Sequence, residues 1–216
     1  MIKADLHMHT RFSQDCTVSP EALIEACRRR GLGTVAVTDH NTIAGGLAVR
    51  KIAPFPVIVG AEIKTNQGEI IGLFLEEEIP RGLSPEETIR RIRQQGGLVG
   101  VPHPFDRLRR SAIRREALWD ILDQIDYLET LNARMVFSAD NQMAFELARR
   151  RGLPMSSGSD AHTLFEYGRA YVEMPPFNGR DDFLEALRQG RVQGRPSPPL
   201  VHLVSSWNKL RRKLAG

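Results

Sequence analysis

Short β-branched apolar runs alternate along this chain with stretches whose apolar residues recur at helical spacing. Ile2–Leu6, Thr34–Thr38, Val57–Glu62, Leu98–Pro102, Tyr127–Leu131, Met155–Gly158 and Ala170–Met174 read as strands. Glu69–Phe74 reads as an antiparallel partner of the third strand, returned through a turn at Asn66-Gln67-Gly68. Helices are expected between Pro20 and Gly31, over Ile43–Ile52, after Ser84, and over Ala117–Ile125, Ala139–Arg151 and Arg180–Gln189. Their ends carry local signals. Ser19 precedes Pro20 as an N-cap, Ser84-Pro85-Glu86-Glu87 is a capping box, and Gly31, Gly96-Gly97 and Gly152 are stops.

Strands alternating with helices predict an α/β fold with a largely parallel sheet. Seven or so such units predict a sheet closed on itself as a barrel. The chain shows no internal repeat and no linker long enough to divide it. One domain is expected over residues 1–204, followed by a basic C-terminal tail, residues 205–216, expected to be helical.

Composition narrows the setting. A hydrophobic fraction of 41% over 216 residues supports a sizeable core and argues against disorder. No apolar run reaches the roughly 18 residues of a transmembrane helix. The opening MIKADLHMHT lacks the basic and apolar regions of a secretory signal. Cys16 and Cys27 are too few for a disulfide framework and read as free thiols, so the expected location is cytoplasmic. The net charge of +4 resides in Lys209, Arg211, Arg212 and Lys213, leaving 26 basic against 26 acidic residues elsewhere. Such a tail reads first as a solvated helix end, with attraction to nucleic acid the lesser reading.

The candidate chemistry lies where strand patterns end. Asp5-Leu6-His7-Met8-His9 closes the first strand, and residues two apart share a face, so His7 and His9 can share a metal. Asp39-His40 follows the second strand, Glu62 ends the third, His103 follows Leu98–Pro102, and Asp160-Ala161-His162 follows Met155–Gly158. In a parallel barrel these ends lie on one face. One histidine alone reads more readily as structural, and His202, near the tail, is read that way. The joint pattern points to a metal site, and mixed imidazole and carboxylate donors suit Mn, Fe or Zn. Cys16, beside Asp15, reads as a packing residue.

Asp5-Leu6-His7-Met8-His9-Thr10, Thr38-Asp39-His40-Asn41-Thr42, Gly60-Ala61-Glu62, Pro102-His103-Pro104 and Gly158-Ser159-Asp160-Ala161-His162 resemble, in order, the motifs of the polymerase and histidinol phosphatase (PHP) family. The resemblance covers about residues 2–175. It implies a distorted seven-stranded (β/α)7 barrel with two or three divalent metal ions at the C-terminal ends of the strands. It places His7, His9, Glu62 and Asp160 on one metal. Glu62 would bridge to a second held also by His103, and Asp15, His40 and His162 would hold a third. Asp15 stands one residue off the family's usual Ser-Asp spacing. Asn132 stands where many members have a histidine or cysteine, and is open to two roles, ligand or substrate contact. Asp5 and Asp39 are expected to orient metal-bound histidines.

Metals about 3.5–4 Å apart can activate water and clamp phosphoryl oxygens. The expected reaction is hydrolysis of a phosphate monoester or diester by a metal-bridging hydroxide, with Glu62, Asp160 and His162 in the catalytic set. The chain contains no nucleophile elbow and no P-loop. The expected substrate is a small phosphorylated metabolite or nucleotide, with an oligonucleotide end also open. Arg134, Arg169 and Arg107 are the arginines expected to meet it, with Arg109, Arg110, Arg114 and Arg115 nearby in sequence. Two rival readings are metal-dependent carbon–nitrogen hydrolysis of the amidohydrolase kind, and a catalytically silent metal-binding scaffold.

Overall fold

The computed structural model describes residues 1–215. Nine strands form one sheet in the order β7-β6-β5-β4-β3-β2-β1-β8-β9. Their ranges are β1 Ile2–Met8, β2 Thr34–Val37, β3 Val57–Thr65, β4 Gly68–Leu73, β5 Leu98–Val101, β6 Tyr127–Asn132, β7 Met155–Gly158, β8 Ala170–Met174 and β9 Arg191–Gly194. Between them lie α1 Pro20–Arg29, α2 Ala44–Ile52, α3 Pro85–Gln94, α4 Arg115–Ile121, α5 Ser138–Arg151 and α6 Arg180–Arg188, with α7 Val201–Ala215 last.

The predicted caps form. Ser19 accepts a hydrogen bond from Ala22 N and Ser84 one from Glu87 N, while Gly152 takes the left-handed conformation at the end of α5.

The sheet curls into a nearly closed barrel of the distorted kind the sequence suggested. Strands β1, β2 and β3 are mutually parallel, as are β5, β6 and β7. Strand β4 runs antiparallel to both β3 and β5, so the chain crosses it without reversing the direction of the second set. The C-terminal ends of six staves therefore share one mouth.

Strand β1 divides its edge between two neighbours. Ile2, Lys3 and Ala4 pair with β8, whereas His7 O accepts from Asp160 N at 2.7 Å and His9 N donates to Ala161 O at 3.1 Å. That short junction closes the barrel from β1 to the end of β7. Leu6, Ala36, Ile58, Ile71, Leu98 and Tyr127, one from each of β1 to β6, fill its floor. A register shift between Asp5 and Met8 lets His7, next to Leu6, also face inward.

Two features depart from the sequence reading. Strand β9 pairs antiparallel with β8 and carries exposed polar residues, so periodicity gives no sign of it. The last helix begins at Val201, four residues before Ser205, and runs across the barrel mouth. Gly216 lies outside the described residues, as do the side chains of Arg212 and Lys213. Among the described residues no helix is long and apolar enough to cross a membrane.

Candidate metal centre

The strand ends bring the predicted histidines and acids into one cluster. His7 Nε2 lies 3.2 Å from His9 Nε2, and Glu62 Oε2 is 3.6 Å from each of them. Asp160 Oδ1 is 3.3 Å from His9 Nε2 and 3.8 Å from His7 Nε2. His103 Nε2 is 2.8 Å from Glu62 Oε1, and His40 Nδ1 is 2.9 Å from Glu62 Oε2. Asp15 reaches both His40 and His162, at 3.3 Å each. Donor atoms of His9, His40 and His162, of His7, Glu62 and His103, and of His7, His9 and Asp160 each lie within 4.8 Å of one another. A fourth such group joins Glu69 to His40 and Glu62.

Hydrogen bonds orient the central pair through their Nδ1 atoms. His7 Nδ1 lies 3.0 Å from Glu129 Oε1, a carboxylate that only accepts, so Nδ1 carries the proton. Ser13 Oγ donates to Asp39 Oδ1 at 2.6 Å, so it accepts from His9 Nδ1 at 3.2 Å. Each ring thereby turns its Nε2 atom inward, towards the other and towards two carboxylates. Asp160 Oδ1 and Asp15 Oδ1 are buried without a hydrogen-bond partner, and buried Glu62 Oε2 is met only by imidazole nitrogens. Converging acceptors in a buried site need a cation between them, and the donor set suits a divalent transition metal.

Electrostatics reinforce this. Burial pushes Glu62 and Asp160 upward, but the neighbouring cations outweigh it and hold both carboxyls well below the usual range. For Glu62 those cations are His40 and His7; for Asp160 they are chiefly Arg109 and His7. Asp15 is likewise lowered by His162 and His40 despite burial. The imidazoles split. Burial and the charges of His162 and His40 hold His9 well down, while Glu129, Asp160 and Glu62 overcome burial and raise His7.

Backbone strain marks the same place. His103 and Asp160 both have positive φ, 29° and 51°. Positive φ is uncommon outside glycine, and such conformations cluster at functional sites.

The surrounding groups differ from expectation in detail. Asp5 accepts from Ser159 N and Gly168 N at 2.9 Å each and from His7 N at 3.4 Å, so it pins backbone rather than an imidazole. Burial pushes its carboxyl up to about 6. Asp39 reaches His9 only through Ser13. The carboxylate that orients an imidazole directly is Glu129, whose Oε2 also accepts from His103 N at 2.7 Å. Sequence reasoning missed Glu129, although an acid inside the apolar run Tyr127–Leu131 was its signal. Asn132 Nδ2 donates to Glu129 and Asp160 at 3.0 and 3.2 Å, and its Oδ1 accepts from Arg134 N at 2.9 Å. Both ends of that amide are thus committed within the protein.

A cavity of ≈ 710 Å³ opens over the cluster, where Asp15, His40 and His162 reach its surface. Of the three arginines expected to meet substrate, only Arg134 lines it. Arg107 ion-pairs with Asp140 beside the Phe137 ring, and Arg169 donates to Pro196 O at 2.5 Å, so both are held elsewhere. Arg109 does line the cavity and reaches Asp160 Oδ2 at 2.5 Å. Arg134 is buried, with Nε 3.1 Å from Glu166 Oε1. His202 lines the cavity as well as placing its Nε2 3.0 Å from Arg134 O.

Comparison with known proteins agrees with this geometry. Residues 5–76 match the PHP domain and residues 138–192 the PHP-associated region. An uncharacterized protein of Methanocaldococcus jannaschii is 41% identical over 145 residues, 61% of this chain and 82% of its own length. A 3',5'-nucleoside bisphosphate phosphatase of Chromobacterium violaceum is 30% identical over 122 residues, 49% of this chain and 42% of its own. Among solved structures, a two-domain protein of Bacteroides vulgatus containing a predicted PHP-like metal-dependent phosphoesterase superposes with a TM-score of 0.73 at 20% identity, covering 90% of this chain and 65% of that one. With its strand-end motifs gathered in one buried cluster and the family's two regions matched in order, the chain belongs to the PHP family of metal-dependent phosphoesterases.

Proposed function

We propose that the protein hydrolyses a phosphate ester of a nucleotide or small phosphorylated metabolite at this centre. The supporting observation is the inward convergence of the His7 and His9 Nε2 atoms on Glu62 Oε2 and Asp160 Oδ1. His7, His9, Glu62 and Asp160 would hold one ion. Glu62 and His103 would hold a second, and Asp15, His40 and His162 a third. Mn, Fe and Zn all suit these donors. Divalent ions there would supply Lewis-acid charge and lower the pKa of water towards neutrality.

The chain's own groups do the rest. Glu62 keeps its negative charge at the centre because His40 and His7 stabilise the carboxylate. Asp15, His40 and His162 reach the cavity, which marks the side of the cluster from which the phosphate would enter. Arg109 enters the cavity and ion-pairs with Asp160, which holds that carboxylate charged and in place. Asn132, engaged at both ends, stays outside the ligand set and holds Asp160 and Glu129 in place.

The test is a panel of phosphomonoesters, phosphodiesters and amides with Mn, Fe and Zn added separately. Inorganic phosphate or alcohol release that a chelator abolishes is expected, with Glu62→Gln inactive yet folded. Amine release without phosphoester cleavage, or full activity in Glu62→Gln, rejects the reading.

A further inference from the structure

Helix α7 lies beyond both segments matched to the family, which end at residue 192, yet it forms a wall of the active-site cavity. Helical spacing gives it three faces. Val201, Ser205 and Asn208 are buried against the body. There Arg134 donates to Val201 O at 2.8 Å and to Ser205 Oγ at 2.5 Å, and Asn208 donates to Asp15 O at 3.2 Å. Leu203, Trp207, Leu210 and Leu214 face outward and are exposed. His202, Ser206 and Lys209, spaced i, i+4, i+7, line the cavity.

The cations of the cavity fall into two sets. Arg109 and Arg134 are committed to the carboxylates of Asp160 and Glu166. Lys64 of β3, Arg81 of the β4–α3 loop and Lys209 of α7 also line it. None of these three side chains has an ion pair or hydrogen-bond partner among the described residues. Three cations without a partner, brought from three separate elements to the cavity that Asp15, His40 and His162 also line, make an anion site beside the metal cluster.

We propose that Lys209, with Lys64 and Arg81, binds a second phosphate of the substrate, so that the enzyme prefers phosphoesters carrying a further phosphate group over those carrying one. The inference rests on the phosphoesterase reading for its reaction but not for its binding site. The second phosphate belongs either to a nucleoside bisphosphate or to the next link of an oligonucleotide; both present the same anion to these cations. Lys209 acts on specificity and takes no part in bond breaking.

The experiment compares a nucleoside 3',5'-bisphosphate, a 5'-phosphorylated dinucleotide and the corresponding nucleoside 5'-monophosphate. Binding is measured by calorimetry and turnover by product release, in the metal-loaded protein. Wild type is expected to bind at least one doubly phosphorylated ligand about tenfold more tightly than the monophosphate. Lys209→Ala should reduce that ratio about tenfold, Lys209→Glu further, and Lys209→Arg should retain most of it. Lys64→Ala and Arg81→Ala should shift it in the same direction. Whether the bisphosphate or the dinucleotide gains more identifies the source. A ratio near one in wild type, or one unchanged in Lys209→Ala and Lys209→Glu, overturns the proposal. Failure to turn over any of the three, with the binding ratio still dependent on Lys209, rejects the phosphoesterase reading and leaves the second anion site standing.

Discussion

Arg134 Nη1 lies 2.8 Å from His162 Nδ1, so one buried guanidinium joins the metal cluster to the C-terminal helix. Its Nε meets Glu166 at 3.1 Å, and its other amino group holds Val201 O and Ser205 Oγ. Glu166 in turn accepts from His162 N at 3.1 Å. The same side chain thus sets a candidate ligand, a buried acid and the seat of α7.

Removing Arg134 should therefore do more than remove a charge. Arg134→Ala leaves Glu166 buried without its partner, a change that costs about 3–5 kcal/mol. The urea midpoint should fall accordingly. Helix α7 should also loosen, exposing Lys209 and Arg211 to trypsin. Unchanged stability together with unchanged tryptic resistance would contradict this.

Glu129 makes the sharpest prediction about the metals. It fixes the tautomer of His7 and, through His103 N, the strained turn that carries His103. Carboxylates in this position typically change metal affinity 10–100-fold when altered. Glu129→Gln should weaken metal binding by about that factor in chelator competition, with a near-normal circular dichroism spectrum. Wild-type affinity in Glu129→Gln would show that His7 needs no such support.

The sequence was legible wherever chemistry and strand ends coincided. His7, His9, Glu62, His103, Asp160 and His162 stand beside periodic apolar runs, and parallel staves put those ends in one place. The antiparallel β4 was visible too, because Asn66-Gln67-Gly68 left room only for a tight turn. What stayed hidden depended on contacts between distant segments. Arg109 and Arg107 are two residues apart in one Arg-rich loop, yet Asp160 captures the first and Asp140 the second. No local pattern separates them. Helix α7 carries an apolar stripe that remains exposed, while its polar faces dock and line the cavity, the reverse of what amphipathic periodicity implies.

Gly158 is a packing requirement of the barrel closure. A Cβ there would strike Cβ of His7 and come within 2.9 Å of Glu129 Oε1 and His7 Cα. These atoms belong to a strand and a fixed carboxylate, so little can move aside. Gly158→Ala should destabilise the fold by about 1–3 kcal/mol, as overpacked sites do. It should also lower metal affinity by displacing His7. Denaturation and metal titration of the one variant read both effects, and an unperturbed variant would mean that β1 and β7 can separate freely.

Cys16 adjoins Asp15 and sits under the cluster, but its chemistry is that of a packed thiol. Its Sγ lies 3.4 Å from His162 O and 3.6 Å from His9 O, donating to carbonyls rather than facing the imidazole nitrogens. Burial, helped by Asp39 and Asp15, pushes its pKa up to about 12, and burial raises Cys27 as well. A raised thiol pKa keeps the neutral form dominant below it, so thiolate reactivity should stay negligible from roughly pH 7 to 9. Alkylating reagents should modify neither cysteine in the native protein and both after unfolding. Cys16→Ala should bind the same number of metal equivalents as wild type. Loss of one equivalent, or rapid native alkylation at Cys16, would make the sulfur a ligand and redraw the Asp15 end of the centre.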